Sequence, residues 1–231
     1  MKTWLDFVRD GAKYSPTEEL GSSLITQDHR QVLSVGISTA GFAEVRMALE
    51  EPKRTIIATT LDEKGLKFSE DLIKKYSVDT QIELKIEDIA SDLEYRDEQF
   101  DFVYARLVLH YLPKEALKKA LKNIYRILKN GGDVFIVVRS YDWESEVSGA
   151  VYDCETGLTT YPTFDLQNRV IKQSTRHLQS VGSITSFVQE AGFDVIFIEK
   201  FEETIFGGYE RTSEKRNRLP ARLIALHVGK R

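Results

Sequence analysis

The chain predicts an α/β protein, a largely parallel sheet with helices on both faces. From residue 31 almost to the C-terminus, apolar β-branched runs alternate with amphipathic helical stretches, the order that builds such a sheet. Several runs are short and apolar throughout, as in strands buried on both faces. The first run, Val32-Leu33-Ser34-Val35, leads directly into Gly36-Ile37-Ser38-Thr39-Ala40-Gly41 and then a helical pattern from Phe42. Small residues at such a turn let a ligand approach the backbone closely, and the helix start offers N–H groups with no partner within the helix.

The elements follow in order. Trp4, Leu5, Phe7 and Val8 suggest a short helix that Tyr14 and Pro16 would end, so residues 1–30 read as a helical cap over the sheet. Gln31 to Val35 is the first strand. Phe42 to Leu49 follows as a helix stopped by Glu50, Glu51 and Pro52. Thr55 to Thr60 is rich in β-branched residues and reads as the second strand. Asp62 stands where it would cap a helix carrying Leu66, Phe68, Leu72, Ile73 and Tyr76, which completes one βαβ step.

The third strand is Ile82 to Ile86, followed by Glu87 and Asp88, and the fourth is Phe100 to Ala105. From Pro113, apolar residues at Ala116, Leu117, Ala120, Leu121, Ile124, Ile127 and Leu128 form one continuous helix face. Asn130, Gly131 and Gly132 then read as its C-terminal cap. Val134 to Val138 is the fifth strand. Ser183 opens a further helix through Ile184, Phe187 and Val188, closed by Gly192, and strands follow at Val195–Glu199 and Arg222–Val228. Residues 140–181 are too long for an ordinary connection. They carry Tyr141, Trp143, Tyr152, Tyr161 and Phe164, with Glu155-Thr156-Gly157 as a turn. They read either as a lid enclosing a flat acceptor or as a surface hairpin packed on the sheet edge.

Composition narrows the function. With 231 residues, 42% of them hydrophobic and 29% charged, the chain suits a single domain, 1–231, with a substantial core. No run approaches the roughly 18 apolar residues of a membrane span, and Asp6, Arg9 and Asp10 interrupt any signal-peptide layout, so a cytoplasmic protein is expected. The single cysteine, Cys154, excludes an internal disulfide. His29, His110, His177 and His227 lack metal-ligand spacing, and no metal is expected. A net charge of −4 argues against a general affinity for nucleic acid. Arg211, Lys215, Arg216 and Arg218 alternate with Glu210 and Glu214, the pattern of a solvated loop. No Ser-His-Asp or Cys-His arrangement points to covalent catalysis.

Four landmarks carry a resemblance. They are the turn from Gly36 to Gly41, Thr59-Thr60-Leu61-Asp62, Glu87-Asp88, and the run Phe100-Asp101-Phe102-Val103-Tyr104-Ala105-Arg106-Leu107-Val108-Leu109-His110-Tyr111-Leu112. In this order they resemble the class I S-adenosylmethionine (SAM)-dependent methyltransferases, of the small-molecule type found in quinone biosynthesis. The resemblance covers residues 31 to 140, and Gly182 to Val228 in outline. It implies a Rossmann-like, doubly wound, seven-stranded and mostly parallel sheet with an antiparallel last strand, SAM as cofactor, and a small-molecule methyl acceptor.

Carried over by position, the resemblance implies Gly36, Ser38, Thr39 and Gly41 beneath the amino-acid part of SAM, Thr60 at the ribose and Asp88 at the adenine amine. Asp62, two residues beyond Thr60, is a second candidate for the ribose, and Arg106 a candidate for lining the cofactor or substrate pocket. His110 and Tyr111 lie where acceptors bind in the family, and Tyr14 and Tyr141 are further candidates for orienting the acceptor. The chain departs from the family pattern at four places. Ser34 replaces the first-strand acid, Ser38 and Ala40 replace turn glycines, and Thr60 replaces the ribose acid. A Cβ at Ser38 narrows the approach, and one hydroxyl cannot accept two ribose hydrogen bonds as a carboxylate can.

A second reading therefore stands beside methyl transfer: a catalytically inactive, methyltransferase-like binding or scaffolding protein. A nicotinamide-dependent oxidoreductase is disfavoured because the triple-glycine spacing and ribose acid of that class are not met.

Overall fold

A computed structural model describes residues 15–37, 41–144, 149–164, 169–203 and 221–231. Expectations for Trp4, Leu5, Phe7, Val8, Tyr14, Ser38, Thr39, Ala40 and the basic cluster at 211–218 lie outside these residues. In chain order the elements are α1 (Pro16–Ser23), β1 (Gln31–Val35), α2 (Phe42–Glu50), β2 (Thr55–Thr60), α3 (Glu63–Tyr76), β3 (Ile82–Ile86), β4 (Phe100–Arg106) and a 3-10 turn at Leu109–Tyr111. They continue with α4 (Lys114–Ile127), β5 (Leu128–Arg139), α5 (Tyr141–Glu144), β6 (Val151–Tyr152), β7 (Thr159–Phe164), β8 (Val170–Arg176), α6 (Val181–Ala191), β9 (Asp194–Glu203) and β10 (Ala221–Gly229).

Seven strands form one sheet in the order β3-β2-β1-β4-β5-β10-β9. β1 pairs in parallel with β2 and β4, β2 with β3, and β4 with β5. β10 runs antiparallel to both β5 and β9, so it alone opposes the other six. Strand order reverses between β1 and β4. In an open sheet that reversal leaves a crevice outside the carboxyl ends of the strands.

Period-two alternation splits the core between the two faces. Leu33 and Val35 of β1, Val103 and Ala105 of β4, and Val134, Ile136 and Val138 of β5 pack under Leu117, Leu121 and Ile124 of α4 and Ile184 and Val188 of α6. Val32, Phe102, Tyr104, Phe135 and Val137 pack on the opposite face, under Val45 and Met47 of α2 and Leu72 and Ile73 of α3. Ser34 also falls on this second face, where its buried hydroxyl donates to Glu44 of α2.

Three boundaries differ from the sequence expectation, each for a local reason. Pro16 starts a helix rather than ending one. It occupies the first turn, where its missing N–H is not needed, and Ser15 and Glu18 form a capping box around it. Gly131 is left-handed, with φ +77°, but does not cap α4. The helix closes at Leu128, where Ile124 accepts the last amide, and the chain passes directly into β5. Leu128 pairs with Phe100 and Asp133 with Phe102, so residues 129–132 bulge out between them. Ser183 does not open α6. Ser180 caps it, accepting from the Ser183 amide at 3.0 Å, while the Ser183 hydroxyl accepts from the Ser180 amide at 2.9 Å.

Between β5 and α6 lies a second, three-stranded antiparallel sheet, β6-β7-β8, with Tyr161 buried in it. It is tied to the first sheet at the carboxyl edge. The His177 amide donates to the His110 carbonyl (2.8 Å), the Lys114 amide to the Thr156 carbonyl (2.8 Å) and the Gln179 amide to the Arg139 carbonyl (3.0 Å).

Candidate functional site

The turns that follow β1, β2 and β3 meet at the carboxyl ends of these strands and enclose a cleft of about 510 Å³. Val35, Gly36 and Ile37 line it from the first turn, Thr59 to Asp62 from the second, and Glu87 to Ile89 from the third. Leu107, Val108, Tyr111 and Leu112, after β4, form the facing wall.

The first turn depends on glycine at two points. Gly36 has φ +72°, and a Cβ there would lie 2.6 Å from Cγ2 of Val108 across the cleft. Gly41, with φ +90°, is the N-cap of α2, and a Cβ there would lie 3.3 Å from Ser69. The Ile37 amide donates to the Thr59 carbonyl at 2.7 Å, which draws the turn toward β2. Ser38 and Thr39, expected in the same turn, lie outside the described residues.

In the second turn Thr60 Oγ1 accepts from the Asp62 amide (3.0 Å), and Asp62 Oδ1 accepts from the Lys64 amide (3.0 Å). Asp62 is thus both the N-cap of α3 and part of the cleft wall. The Leu61 side chain between them is 68% exposed. In the third turn Asp88 is exposed and uses Oδ1 to accept from the Ala90 amide (2.9 Å). Glu87 accepts from the Tyr95 hydroxyl (2.8 Å), and burial together with that carboxylate pushes the Tyr95 phenol far up.

The facing wall carries backbone strain. Leu107 has φ +57°, and its amide donates to the Val137 carbonyl at 2.8 Å, so pairing to β5 holds the strained turn. Tyr111 is exposed, with the Arg176 guanidinium 4.0 Å above its ring and donating to its hydroxyl at 3.2 Å. His110, beside it, is only 2% exposed. Burial first, then the charges of Arg139 and Arg176, hold its pKa well below the ordinary histidine range, so the ring is neutral at pH 7. Tyr141 is exposed, and its amide donates to the Gln179 carbonyl. Tyr14 lies outside the described residues.

Arg106 is a correction. Although it ends β4 at the carboxyl edge, it does not line this cleft. Its buried guanidinium donates to Glu203 (2.5 Å), Ser15 (2.6 Å) and Thr17 (2.8 Å), with Glu18 at 3.7 Å. Burial by itself would favour the neutral form, but Glu18, Tyr104 and Glu203 more than offset it and keep the side chain charged. Arg106 therefore clamps α1 to β4 and β9. Conversely, Leu61, Glu87, Ile89, Leu107 and Val108 line the cleft without having stood out as candidates. Only Leu61, an apolar residue between two polar ones just after a strand, carried a readable signal.

Among the described residues no group of three His, Cys, Asp or Glu side chains is placed to hold a metal ion, and no helix is long and apolar enough to cross a membrane.

A family model described as a methyltransferase domain matches residues 33–136. The span runs from Leu33 within β1 into β5 and includes every lining residue of the cleft. Over these residues the chain is similar to a methyltransferase domain. No curated protein sequence matches the chain. Among solved structures, the PH0226 protein of Pyrococcus horikoshii OT3 superimposes with a TM-score of 0.67 at 13% identity, over 93% of this chain and 88% of that one. A SAM-dependent methyltransferase of Methanosarcina mazei gives 0.66 at 14% identity, over 90% and 95%. The [4+2]-cyclase SpnF gives 0.63 at 15% identity, over 92% and 80%. At such identities the likeness shows the fold alone, and the cyclase illustrates that this fold supports more than one chemistry.

Proposed function

We propose that the chain transfers a methyl group from SAM to a small-molecule acceptor. The observation that carries this reading is the cleft itself. It is assembled from the turns after β1, β2 and β3, is of a size suited to a small ligand, and is lined by apolar groups with a few polar ones. The residues fit the cofactor. Gly36 leaves the backbone bare where any Cβ would collide with Val108. Leu61 and Ile89 offer apolar surfaces to a base, and Asp88 offers a carboxylate to an amine. Thr60 takes the family's ribose position. Its hydroxyl oxygen accepts from the Asp62 amide and so keeps its own proton to donate, while the Asp62 carboxylate beside it would accept from a ribose hydroxyl.

When bound, SAM supplies an activated methyl on a positively charged sulfur. The protein's contribution is to orient and to exclude water. A well-aligned pair of reactants in a dry site can lower the barrier by roughly 7–11 kcal/mol without acid–base machinery. Val108, Tyr111 and Leu112 would separate the cofactor from the region around His110, where the acceptor would enter beneath the β6-β7-β8 sheet. In this reading residues 140–181 act as the lid and Tyr111, Tyr141 and Tyr14 as orienting groups.

Isothermal titration with S-adenosylhomocysteine (SAH) tests the proposal. Saturable binding that weakens in Asp88→Ala and Asp62→Ala supports it. Absence of heat in the parent protein, with a stable partner co-purifying instead, would favour the scaffolding reading.

A further inference from the structure

We propose that Arg176 and Tyr111 together form a carboxylate-recognition site on the wall of the cleft, taking the carboxylate of the acceptor or that of the cofactor's amino-acid end. The inference rests on the reading of the cleft as the SAM site. Two observations carry it: a guanidinium with no carboxylate partner, and a phenol fixed beside it whose proton is unspent. Arg176 is half-buried and lies 4.0 Å from the centre of the Tyr111 ring, with Nη1 donating to the Thr175 carbonyl (2.6 Å) and Nη2 to the Tyr111 hydroxyl (3.2 Å). These contacts leave further N–H groups of the guanidinium unused. Arg30, Arg46, Arg106 and Arg126 each reach a carboxylate, whereas among the described residues Arg176 reaches none.

Both members of the pair are held in place. Arg176 ends β8, and the next residue, His177, gives its amide to the His110 carbonyl (2.8 Å) and has Nδ1 3.2 Å from the Leu112 carbonyl. Tyr111 stands between those two carbonyls in the 3-10 turn, and it lines the cleft with Val108 and Leu112. The stack therefore sits where the small sheet meets the cleft wall.

The chemistry of the pair selects the ligand. The Tyr111 hydroxyl oxygen accepts from Arg176, so its own O–H is left to donate, and the unused guanidinium N–H groups donate beside it. Two donor groups 3.2 Å apart, one of them a cation, suit the paired oxygens of a carboxylate and hold it by charge-assisted hydrogen bonds. The carboxylates of the cleft itself are engaged elsewhere. Asp62 accepts from the Lys64 amide, Asp88 from the Ala90 amide and Glu87 from the Tyr95 hydroxyl.

Calorimetric titration of the full chain separates the two sources of the carboxylate. SAH carries one at its amino-acid end, and 5′-methylthioadenosine lacks that end. Sodium benzoate, with and without saturating SAH, stands for the acceptor, and neutral benzamide is its control. If the carboxylate is the cofactor's, Arg176→Met should weaken SAH at least about tenfold and leave 5′-methylthioadenosine within about twofold. If it is the acceptor's, Arg176→Met should bind both nucleosides within about twofold of the parent but lose benzoate, which the parent binds with a dissociation constant of about 1 mM. Tyr111→Phe keeps the ring beneath the guanidinium and removes the hydroxyl, so it should weaken the same ligand at least about threefold at an unchanged melting temperature. The site is overturned if the parent binds no carboxylate probe, if Arg176→Met binds every probe as the parent does, or if it weakens carboxylate-bearing and carboxylate-free probes alike. A parent that binds neither SAH nor 5′-methylthioadenosine would instead count against the cofactor reading, and the benzoate titration without SAH then decides the site.

Discussion

Replacing Gly36 with alanine tests the geometry on which the cleft rests. The substitution meets two penalties that can be separated. With φ at +72°, a residue bearing Cβ pays roughly 1–2 kcal/mol for the left-handed conformation. The added carbon would also lie 2.6 Å from Cγ2 and 2.8 Å from Cβ of Val108, and overlaps of this kind cost about 1–3 kcal/mol. The total, about 2–5 kcal/mol, corresponds to a fall in melting temperature of roughly 4–20 °C for a chain of this size. Val108→Ala removes the steric part and leaves the conformational one. In that background Gly36→Ala should cost only about 1–2 kcal/mol, a coupling of about 1–3 kcal/mol in a double-mutant cycle measured by urea denaturation. A cost below about 0.5 kcal/mol in the parent would refute the positive φ. Equal costs in both backgrounds would refute the contact across the cleft.

Other outcomes follow from the same structure. Asp88→Ala should lower SAH affinity by about 1.5–3 kcal/mol, the range for a charged hydrogen bond, with little change in urea midpoint because the side chain is exposed. Glu203→Ala should destabilise by about 3–5 kcal/mol by leaving Arg106 buried without its main partner, and protease sensitivity should rise first around α1. All four histidines have folded pKa values depressed chiefly by burial, so the unfolded state binds protons more readily. Their contribution to stability is complete above about pH 6.5 and is lost as pH falls toward the depressed folded values. Denaturation midpoints should therefore drop between pH 7 and 5, and His110→Gln should flatten that slope.

Much of the architecture was legible because the burial period is written locally. β1, β2 and β3 begin and end where their apolar runs meet charged or small residues, and Asp62 caps α3 as its position before Leu66 and Leu72 requires. Errors came where one residue type serves two backbone purposes. Pro16 is compatible with a helix end or a helix start, and only the capping box of Ser15 and Glu18 decides. Gly131 supplies a left-handed residue whether the chain caps a helix or bulges from a strand, and the pairing of Leu128 with Phe100 decides.

The candidate site divides along the same line. Gly36, Thr60, Asp62 and Asp88 could be picked out because each follows directly from the end of a strand, and in a parallel sheet all such ends share one edge. The role of Arg106 could not be read this way, since Glu203 lies 97 positions away and only strand order brings the two together. Nor could the stack of Arg176 on Tyr111 be seen, because a ring contact is a property of surroundings rather than of a residue. The sequence by itself determined the sheet, its helices and the edge at which the cleft opens, since these follow from short-range patterns of burial. Tertiary structure alone decided which polar groups at that edge are already paired, because pairing depends on what long-range folding places beside them.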